Sequence, residues 1–532
     1  MTKSHITRED CVLRYLLDNQ AAALPNKVFL KNDDGREWTY TEARREVLKA
    51  AGGLQALGVK QGDHVLCWMP NSPEMLFVWF AINYIGAVFV PVNLAYRGRL
   101  LEHAVSLSDA KVGVVHADLA QRFADIELAQ LKDIVIFGGA AATDSRLAFH
   151  AYSILEQERP LAPLERPIEP WDDIYIIFTS GTTGPSKAVL CSYAMMLYGM
   201  PEAYTMIDSD TRYLIVSPLF HAAATGFGYA MLIRGGSIAM VESFKTDQFW
   251  DVIRRTQTTF CSLLGVVPLF LLKEPPSPRD GDHCLKVVTT GPWGEHCLQF
   301  AKRFGVDMYT AFSMSELSIP LVSGLNPPKM GIAGRVRKGF EMKIVDEHDF
   351  EVPVGQVGEA VIRSDLPWAI TSGYYKNPEA TAKAWRNGWF HTGDAMRVDV
   401  DGDFFFIDRL KDSIRRRGEN ISSFDIETVV QEHPAVRECA AIAVRAESED
   451  EVMLCAALQP NMKLDFEEFV EFLRPKMAHF MVPRFFRILP ELPKTPNGKI
   501  QKAELRRDGV TSDTWDREAA GIIIKREKIG SR

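Results

Sequence analysis

A run of hydroxyl, glycine and lysine residues directly follows a strongly apolar segment. The apolar residues 174–178 (IYIIF) are typical of a buried strand, and residues 179–187 (TSGTTGPSK) come next. Glycines let backbone N–H groups turn toward an anion, hydroxyls add donors, and Lys187 adds a positive charge. The order is not that of the P-loop, because the second glycine precedes the lysine by three residues. We therefore predict a loop that binds phosphate oxygens.

Further motifs follow in order along the chain and make it recognisable. They read AFSMSE at residues 311–316, HTGD at 391–394, DRLKD at 408–412 with GEN at 418–420, and PKTPNGK at 493–499. Together with the loop they resemble the signature motifs of the adenylate-forming superfamily, which includes acyl-CoA synthetases, luciferases and peptide-synthetase adenylation domains. The resemblance covers nearly the whole chain.

Several shorter stretches narrow the resemblance to one subfamily. Residues 244–250 (FKTDQFW), 403–407 (DFFFI), 417–422 (RGENIS) and 477–483 (MAHFMVP) look most like the bacterial crotonobetaine/carnitine–CoA ligases. The acids of those ligases are small and bear a quaternary ammonium.

The resemblance implies a function and its small-molecule partners. We expect an AMP-forming acid–CoA ligase that uses ATP, Mg²⁺ and CoA. It would form an acyl-adenylate with release of pyrophosphate, and then a thioester with release of AMP. Two alternatives stay open: an adenylation enzyme that loads the pantetheine of a separate carrier protein, and a non-catalytic acyl or nucleotide sensor. The presence of Lys187, Glu316, Asp394, Arg409 and Lys499 argues against the sensor.

The resemblance also assigns a nucleotide site. The nucleotide-binding candidates are Thr179, Ser180, Gly181, Thr182, Thr183, Gly184, Lys187, Gly291, Pro292, Phe312, Ser315, Asp394, Arg409 and Lys499. Phe312 stands where the family usually has tyrosine, so it keeps a surface for adenine but lacks the hydroxyl. Asp394 would accept hydrogen bonds from the ribose hydroxyls, since a carboxylate only accepts.

Three residues are the catalytic candidates. Attack of a carboxylate on the α-phosphate brings two anions together, so the Lys499 ammonium would lower the barrier electrostatically. Glu316 and Thr179 would bind Mg²⁺ through oxygen atoms. His221 is the third catalytic candidate, and a core histidine without a catalytic role is its equally open alternative.

The charged segment near residue 410 is interpreted as a hinge. By resemblance, Lys411 is the residue about which a small C-terminal domain rotates, taking Lys499 out of the site and opening a path for CoA. Arg415 and Gly418 are the CoA-binding candidates. For the arginines at 415–417, a solvated basic surface is the alternative.

The acyl pocket is expected between the phosphate loop and three other segments. Its candidate residues are His221, Ala222, Gly226, Trp293, Ser313 and Met314. Ser313 replaces the family's usual glycine and Trp293 adds bulk, whereas the alanines at 222–224 leave room. These residues favour a short or compact acid. A quaternary ammonium would need an aromatic cage or a carboxylate, and of these the pocket segments offer Trp293 but no convincing acidic residue.

Elements that alternate between helix and strand must position these motifs. Thr39 and Glu42 have capping-box spacing, Ser72-Pro73 is a helix start, and residues 64–69 are typical of a buried strand. This alternation predicts an α/β architecture with largely parallel sheets, followed by a β-rich subdomain over about residues 334–406.

The predicted organisation is a multidomain α/β protein with a small mobile α+β domain at its C-terminal end. The N-terminal adenylation (AMP-binding) domain spans residues 1–408, the hinge 409–412, the C-terminal lid domain 413–510 and a tail 511–532.

Composition excludes other classes. The 532 residues carry a net charge of −8, which argues against nucleic-acid binding through phosphate neutralisation. The eight cysteines lack metal-ligand spacing and are expected to be reduced thiols. We find neither a signal peptide nor an apolar stretch long enough to span a membrane, and expect a cytoplasmic protein. A homodimer is left open.

Overall fold

The computed structural model describes residues 6–140, 144–179, 186–264, 267–410, 414–416, 419–421, 423–446, 449–477, 479, 481–495 and 498–524. Three sets of predicted site residues lie outside this part of the chain: Ser180–Gly184 of the phosphate loop, the hinge residue Lys411, and Gly418. Arg415 is described through its backbone alone, so its predicted role toward CoA stays a prediction.

The described chain alternates strands and helices. The strands are β1 (Val28–Asn32), β2 (Glu37–Thr39), β3 (His64–Trp68), β4 (Val88–Pro91), β5 (Val112–His116), β6 (Asp133–Phe137), β7 (Ala148–Ala151), β8 (Asp173–Thr179), β9 (Lys187–Ser192), β10 (Arg212–Ile215), β11 (Ser237–Met240), β12 (Phe260–Ser262), β13 (Val287–Thr290), β14 (Asp307–Met314), β15 (Ser318–Val322), β16 (Ile332–Val336), β17 (Phe340–Val345), β18 (Gly358–Ser364), β19 (Trp385–Arg386), β20 (Trp389–Val398), β21 (Phe404–Arg409), β22 (Ile414–Arg416), β23 (Glu419–Ile421), β24 (Val436–Ala446), β25 (Glu449–Leu458), β26 (Phe485–Ile488) and β27 (Trp515–Asp516). The helices are α1 (Arg8–Cys11), α2 (Leu13–Ala23), α3 (Tyr40–Ala56), α4 (Pro73–Tyr84), α5 (Gly98–Ser108), α6 (Ala117–Ala120), α7 (Tyr193–Tyr198), α8 (Met200–Ala203), α9 (Ala222–Arg234), α10 (Phe249–Thr256), α11 (Val267–Lys273), α12 (Glu295–Phe304), α13 (Pro378–Ala384), α14 (Ser423–Gln431), α15 (Phe466–Leu473) and α16 (Lys502–Asp508).

Two predicted helix starts are confirmed by their caps. The Thr39 hydroxyl accepts a hydrogen bond from Glu42 N, and the Glu42 carboxylate accepts one from Thr39 N at 2.8 Å, so a capping box begins α3. Ser72 accepts a hydrogen bond from Met75 N at 3.1 Å, and Pro73 is the first residue of α4. In both cases a side-chain oxygen satisfies a backbone donor that the helix itself leaves unpaired.

The first sheet carries the strands on either side of the predicted phosphate loop. It has seven strands in the order β7-β6-β5-β3-β4-β8-β9. Its neighbours are parallel except β8 and β9, which are antiparallel. Helices pack against the sheet, and α4 is so apolar that every residue except Glu74 is buried. The most apolar stretch of the sequence is therefore a core helix.

The second sheet runs continuously from a parallel half to an antiparallel half. Strands β1, β11, β10, β12, β13 and β14 are parallel neighbours. The sheet then continues through antiparallel pairs from β15 to β17. The predicted β-rich region is confirmed as antiparallel, but it does not form a sheet of its own, because the turn between β14 and β15 joins it to the parallel strands.

The C-terminal region has a separate sheet. Strands β24, β25, β26 and β27 form a four-stranded sheet, and β22 pairs with β23. In this sheet Trp515 of β27 lies opposite Phe486 of β26, and the buried Arg517 donates from Nε to the carbonyl of Pro483 at 3.2 Å. Part of the predicted tail is therefore joined to this sheet, and the predicted domain boundaries remain predictions.

No helix within the described ranges is long and apolar enough to cross a membrane.

Candidate active site

The predicted site residues converge on a large cleft between the N-terminal region and the C-terminal sheet. The cleft has a volume of about 1440 Å³. It is lined from the N-terminal side by Thr179, Lys187, Glu316 and Arg409 and from the C-terminal side by Lys499. Ligand sites commonly enclose ~300–1,000 Å³, so this cleft has room for more than one small molecule.

Strand pairing brings the two ends of the predicted phosphate loop together. Thr179 ends β8, Lys187 begins β9, and the two residues are partners in the antiparallel ladder. The Thr179 hydroxyl donates to the carbonyl of Lys187 at 3.3 Å. Both predicted binding groups therefore lie at one edge of the sheet, although seven residues separate them in sequence.

Glu316 is held in the turn between β14 and β15. It is 6% exposed, and its Oε1 accepts a hydrogen bond from the hydroxyl of Tyr374 at 2.9 Å. Its carbonyl accepts a hydrogen bond from Thr371 N at 2.8 Å. Burial and the neighbouring Glu316 raise the pKa of Tyr374, so the phenol stays protonated and donates.

Tyr374 also contacts the predicted phosphate-binding lysine. The ammonium of Lys187 lies 4.5 Å from the centroid of the Tyr374 ring. Tyr374 forms a bridge to Val189 of β9, and the next residue, Tyr375, donates from its N–H to the carbonyl of Ala188 at 2.8 Å. This segment therefore links Lys187 to Glu316 through Tyr374. The role of Tyr374 could not be predicted, because nothing in the sequence distinguishes it from the other tyrosines.

Asp394 and Arg409 form an ion pair across two strands. They are ladder partners on β20 and β21, and Arg409 Nε lies 2.8 Å from Asp394 Oδ1. Asp394 is fully buried, whereas Arg409 reaches the cleft. A buried carboxylate needs such a partner, because an isolated buried charge is costly. The register explains how two residues from separate motifs meet.

Lys499 extends into the cleft from a turn of the C-terminal region. Its carbonyl accepts a hydrogen bond from Thr495 N at 2.7 Å, and its N–H donates to the Thr495 hydroxyl at 3.2 Å. The side chain is exposed to the cleft, and residues of both the N-terminal and the C-terminal region surround it there. This crowding and the Arg409 charge lower the pKa of Lys499, against the opposing effect of Asp394 and Glu316.

His221 lies on the opposite wall, at the N-cap of α9. Burial, together with the Lys499 charge, lowers the pKa of His221 to about 4. Its ring centroid is 4.6 Å from that of Phe220. The imidazole is therefore neutral near pH 7, which suits packing or hydrogen bonding but not a charged role.

The cleft is strongly cationic. Its described lining contains two carboxylates, Glu316 and Glu359, and eight basic side chains: Lys187, Lys376, Lys383, Arg386, Arg409, Lys499, Lys502 and Arg506. A concave surface lined by one sign of charge attracts ligands of the opposite sign. This lining therefore suits polyphosphates and carboxylates even though the whole chain is acidic.

Most predicted acyl-pocket and phosphate residues that the structure describes line this cleft. They are Thr179, Lys187, His221, Ala222, Gly226, Ser313, Met314, Ser315, Glu316, Arg409 and Lys499. Met195, Met196 and Met200 also line it. These methionines were missed, because methionines at helical spacing read from sequence as ordinary core residues.

Trp293 does not lie where the sequence analysis expected it. It is 3% exposed and belongs to an apolar cluster with Phe300 and Phe304, outside the described lining of the cleft. Its carbonyl accepts a hydrogen bond from Gly331 N at 3.1 Å. The large indole is thus buried in the core between β13 and α12 and not in the described lining of the cleft, and its predicted role in the acyl pocket remains a prediction.

Four predicted nucleotide residues that the structure describes also lie outside the lining of the cleft. They are Gly291, Pro292, Phe312 and Asp394. Phe312 lies opposite Leu321 in the β14–β15 ladder and is half-buried against the neighbouring apolar clusters. Its predicted role toward adenine remains a prediction.

The oxygen donors in the cleft fit Mg²⁺. The buried Glu316 carboxylate is a hard anionic ligand, and the Thr179 hydroxyl is a neutral one on the neighbouring sheet edge. These two residues would hold the ion together with phosphate oxygens, and the ion would supply charge neutralisation at the phosphates.

Comparisons with known proteins identify the family of this chain. The AMP-binding enzyme model matches residues 17–375, and the AMP-binding enzyme C-terminal domain model matches residues 425–499. The crotonobetaine/carnitine–CoA ligase of Citrobacter koseri is 30% identical over 510 residues, which are 93% of this chain and 98% of that protein.

Solved structures share the fold at lower identity. Anthranilate CoA ligase AuaEII in complex with anthranoyl-AMP has a TM-score of 0.83 and 22% identity, with 96% of this chain and 98% of that chain covered. O-succinylbenzoate CoA synthetase from Bacillus subtilis, in complex with ATP and magnesium ion, has a TM-score of 0.79 and 20% identity, with coverage of 92% and 98%.

The chain therefore belongs to the AMP-binding enzyme family, and within it to the adenylate-forming acyl-CoA ligases. The predicted superfamily, the α/β fold class and the class of AMP-forming acid–CoA ligases are confirmed.

Proposed function

We propose that this enzyme joins a short or compact carboxylic acid to CoA through an acyl-adenylate. The observation that carries the proposal is the meeting of Lys499 with Lys187, Glu316 and His221 around one cationic cleft. A carnitine- or crotonobetaine-like acid and other small acyl acids are the candidates that family membership leaves open.

In the first half-reaction a carboxylate oxygen of the acid attacks the α-phosphorus of ATP. An oxygen–phosphorus bond forms, the bond to pyrophosphate breaks, and pyrophosphate leaves. Lys187 and Arg409 bind and orient phosphate oxygens, and the Lys499 ammonium stabilises the charge that develops between the two anions. The Asp394–Arg409 pair holds Arg409 toward the cleft.

In the second half-reaction the CoA thiolate attacks the acyl carbon. A carbon–sulfur bond forms, the carbon–oxygen bond to the phosphate of AMP breaks, and AMP leaves. We propose, from the resemblance, that the C-terminal domain rotates about Lys411 between the two steps, and that Arg415 and Gly418 then face CoA. Hinges of this kind are a few residues at the ends of elements.

Acid-dependent ATP–pyrophosphate exchange tests the first step, and AMP release with free CoA or with a pantetheine-bearing carrier protein tests the second. We expect exchange with a compact acid and AMP release with free CoA. AMP release with the carrier alone would instead support a carrier-loading enzyme. If none of the acids in a broad panel supports exchange, the non-catalytic sensor is favoured.

We also propose that the reaction takes place in the cytoplasm. All eight cysteines are free and seven of them are buried, which suits a reducing compartment.

A further inference from the structure

We propose that the acid used by this enzyme carries an apolar, uncharged body, and that acids bearing a quaternary ammonium are poor substrates. The inference rests on the proposed ligase function and narrows its substrate class. It departs from the substrate named in the curated relative, which is identical to this chain at only 30% of aligned positions.

The buried part of the cleft wall is apolar. It contains Tyr175 and Cys191 from the first sheet, Met195 and Met196 from α7, and Ile319 from β15, each at most 5% exposed. Burial raises the pKa of the Cys191 thiol, which therefore stays neutral. An apolar acyl group buried against this wall gains free energy from the area it removes from water.

No carboxylate in the described lining is available to neutralise a cation on the acid. The lining contains Glu316, which binds the Tyr374 hydroxyl, and Glu359, which accepts from Gly393 N at 3.0 Å and lies 2.9 Å from His391 Nδ1. The sequence segments 180–185 and 265–266, which adjoin the lining residues Thr179, Ser186 and Leu264 along the chain, contain no acidic residue. Among the described lining residues a buried ammonium would thus find no carboxylate that lacks a partner, and burial of an unpaired charge is costly.

Tyr175 is the one aromatic side chain of the apolar wall that borders this space. Phe178 of the same strand belongs to the cluster on the other face of the sheet. Other aromatic side chains of the described lining are already engaged: Tyr374 lies against the Lys187 ammonium, Tyr375 donates from its hydroxyl to Asp109 at 2.8 Å, and Phe390 packs in another apolar cluster. Trp293, the aromatic residue that the sequence analysis considered for this purpose, is packed in a different cluster. Recognition of quaternary ammonium groups uses several aromatic faces around the cation.

The positive charge of the cleft lining also disfavours an acid that bears a cation. Lys187 and Lys499 line the part of the cleft into which the carboxylate must point, and they attract that carboxylate. A second charge, positive and on the same acid, is repelled by the same lysines.

The wall is adaptable in shape. Met200 joins Met195 and Met196 in the lining, and unbranched thioether side chains adjust to irregular partners. Gly199 and Gly226 add space beside them, because a side chain at Gly226 would approach Met200 Cγ to 2.9 Å. Branched, cyclic and aromatic acids of compact size therefore fit this wall better than a fixed linear chain.

A pair of acids with the same shape tests the inference. Crotonobetaine is compared with its tert-butyl isostere, in which a quaternary carbon replaces the nitrogen, by acid-dependent ATP–pyrophosphate exchange with the wild-type enzyme. We expect kcat/KM for the tert-butyl acid to exceed that for crotonobetaine by about 100-fold or more, since only the charge differs.

Two matched variants at Met200 test the effect of a negative charge on the wall. Met200→Glu adds a carboxylate, and Met200→Gln adds a neutral polar group of the same size. We expect Met200→Glu to shift the ratio of the two kcat/KM values toward crotonobetaine by about tenfold, and Met200→Gln to leave the ratio within about twofold.

The outcomes separate the inference from the ligase function. Equal or better exchange with crotonobetaine in the wild type would overturn the inference and leave the ligase function standing. Exchange with neither acid, nor with benzoate or hexanoate, would contradict the ligase function and the inference with it. If Met200→Glu fails to fold, the wild-type comparison alone decides.

Discussion

We propose that the adenylation chemistry depends most directly on Lys499. It enters the cleft from the C-terminal region and lies close enough to the N-terminal residues Glu316 and Arg409 for their charges to act on it. Its value lies in its position, because Lys502 and Arg506 also line the cleft and carry the same charge.

We expect Lys499→Ala to lower the rate of adenylation by about 10²–10³-fold, because a positioned charge at the developing transition state is lost. Thioester formation from supplied acyl-adenylate should be nearly unchanged. ATP–pyrophosphate exchange measures the first step and acyl-CoA production from acyl-adenylate the second. Lys463→Ala, in the C-terminal region outside the cleft lining, is the control, and equal loss of both half-reactions in Lys499→Ala would contradict the assignment.

His221 gives a prediction about pH. Its pKa is about 4 in the folded protein and about 6.5 when unfolded. The unfolded chain therefore binds more protons between these values, and the stability of the fold falls as the pH decreases from about 6.5 toward 4. His221→Gln removes this contribution.

We expect the wild type to lose about 1–2 kcal/mol more stability than His221→Gln between about pH 7 and pH 5. Urea denaturation followed by tryptophan fluorescence at both pH values measures the difference. An identical loss in the two proteins would mean that His221 titrates normally.

At the level of elements, α9 forms one wall of the cleft through its glycines. Gly226 lies in the cleft lining, and a Cβ there would lie 2.9 Å from Met200 Cγ and 3.3 Å from its Cε. Gly228, two residues further along the helix, would place a Cβ no closer than 3.6 Å to any neighbour. Gly226 and Gly228 thus lie on the same helix and are the same residue type, but they differ in how much room a side chain would have.

We expect Gly226→Ala to push Met200 into the cleft and to raise KM for bulky acids by about tenfold, because a well-packed wall transmits the added volume. Small acids should be affected by less than about twofold. Gly228→Ala is the matched control and should leave both KM values unchanged. An equal effect of Gly226→Ala on small and bulky acids would indicate general distortion of α9.

At the level of the whole molecule, a polar contact joins the two regions in the arrangement that brings Lys499 to the cleft. Asp408 is 4% exposed and accepts hydrogen bonds from Ser423 N at 2.8 Å and from the Ser423 hydroxyl at 2.6 Å. Lys502 lies 2.8 Å from Glu427 of the same helix α14. Burial raises the pKa of Glu427, and the nearby Lys502 charge partly offsets this increase.

We expect Ser423→Ala to reduce adenylation about tenfold while thioester formation from supplied acyl-adenylate changes less, because loss of a hydrogen bond to a buried carboxylate weakens this arrangement alone. The same two half-reaction assays measure it. Thr428→Ala, an exposed hydroxyl on α14, is the control. Equal losses in both half-reactions would mean that Ser423 supports the fold rather than the orientation.

Much of this protein was predictable from local patterns. The capping residues Thr39 and Ser72 begin α3 and α4, the predicted strand at residues 64–69 is β3 (His64–Trp68), and the order of motifs is typical of the superfamily to which the chain belongs. Such signals are readable because they depend on neighbours within a few residues, such as a cap and the N–H it satisfies.

Tertiary structure alone decided how distant residues meet. The β20–β21 register places Asp394 opposite Arg409, and the packing of α7 and α8 brings three methionines to the cleft. Trp293 went to the core instead, because burial of an indole depends on what surrounds it in space and not on its position beside a motif. The types and order of the residues thus determined which chemical groups are present, whereas long-range packing determined which of those groups line the cleft that would enclose the acid.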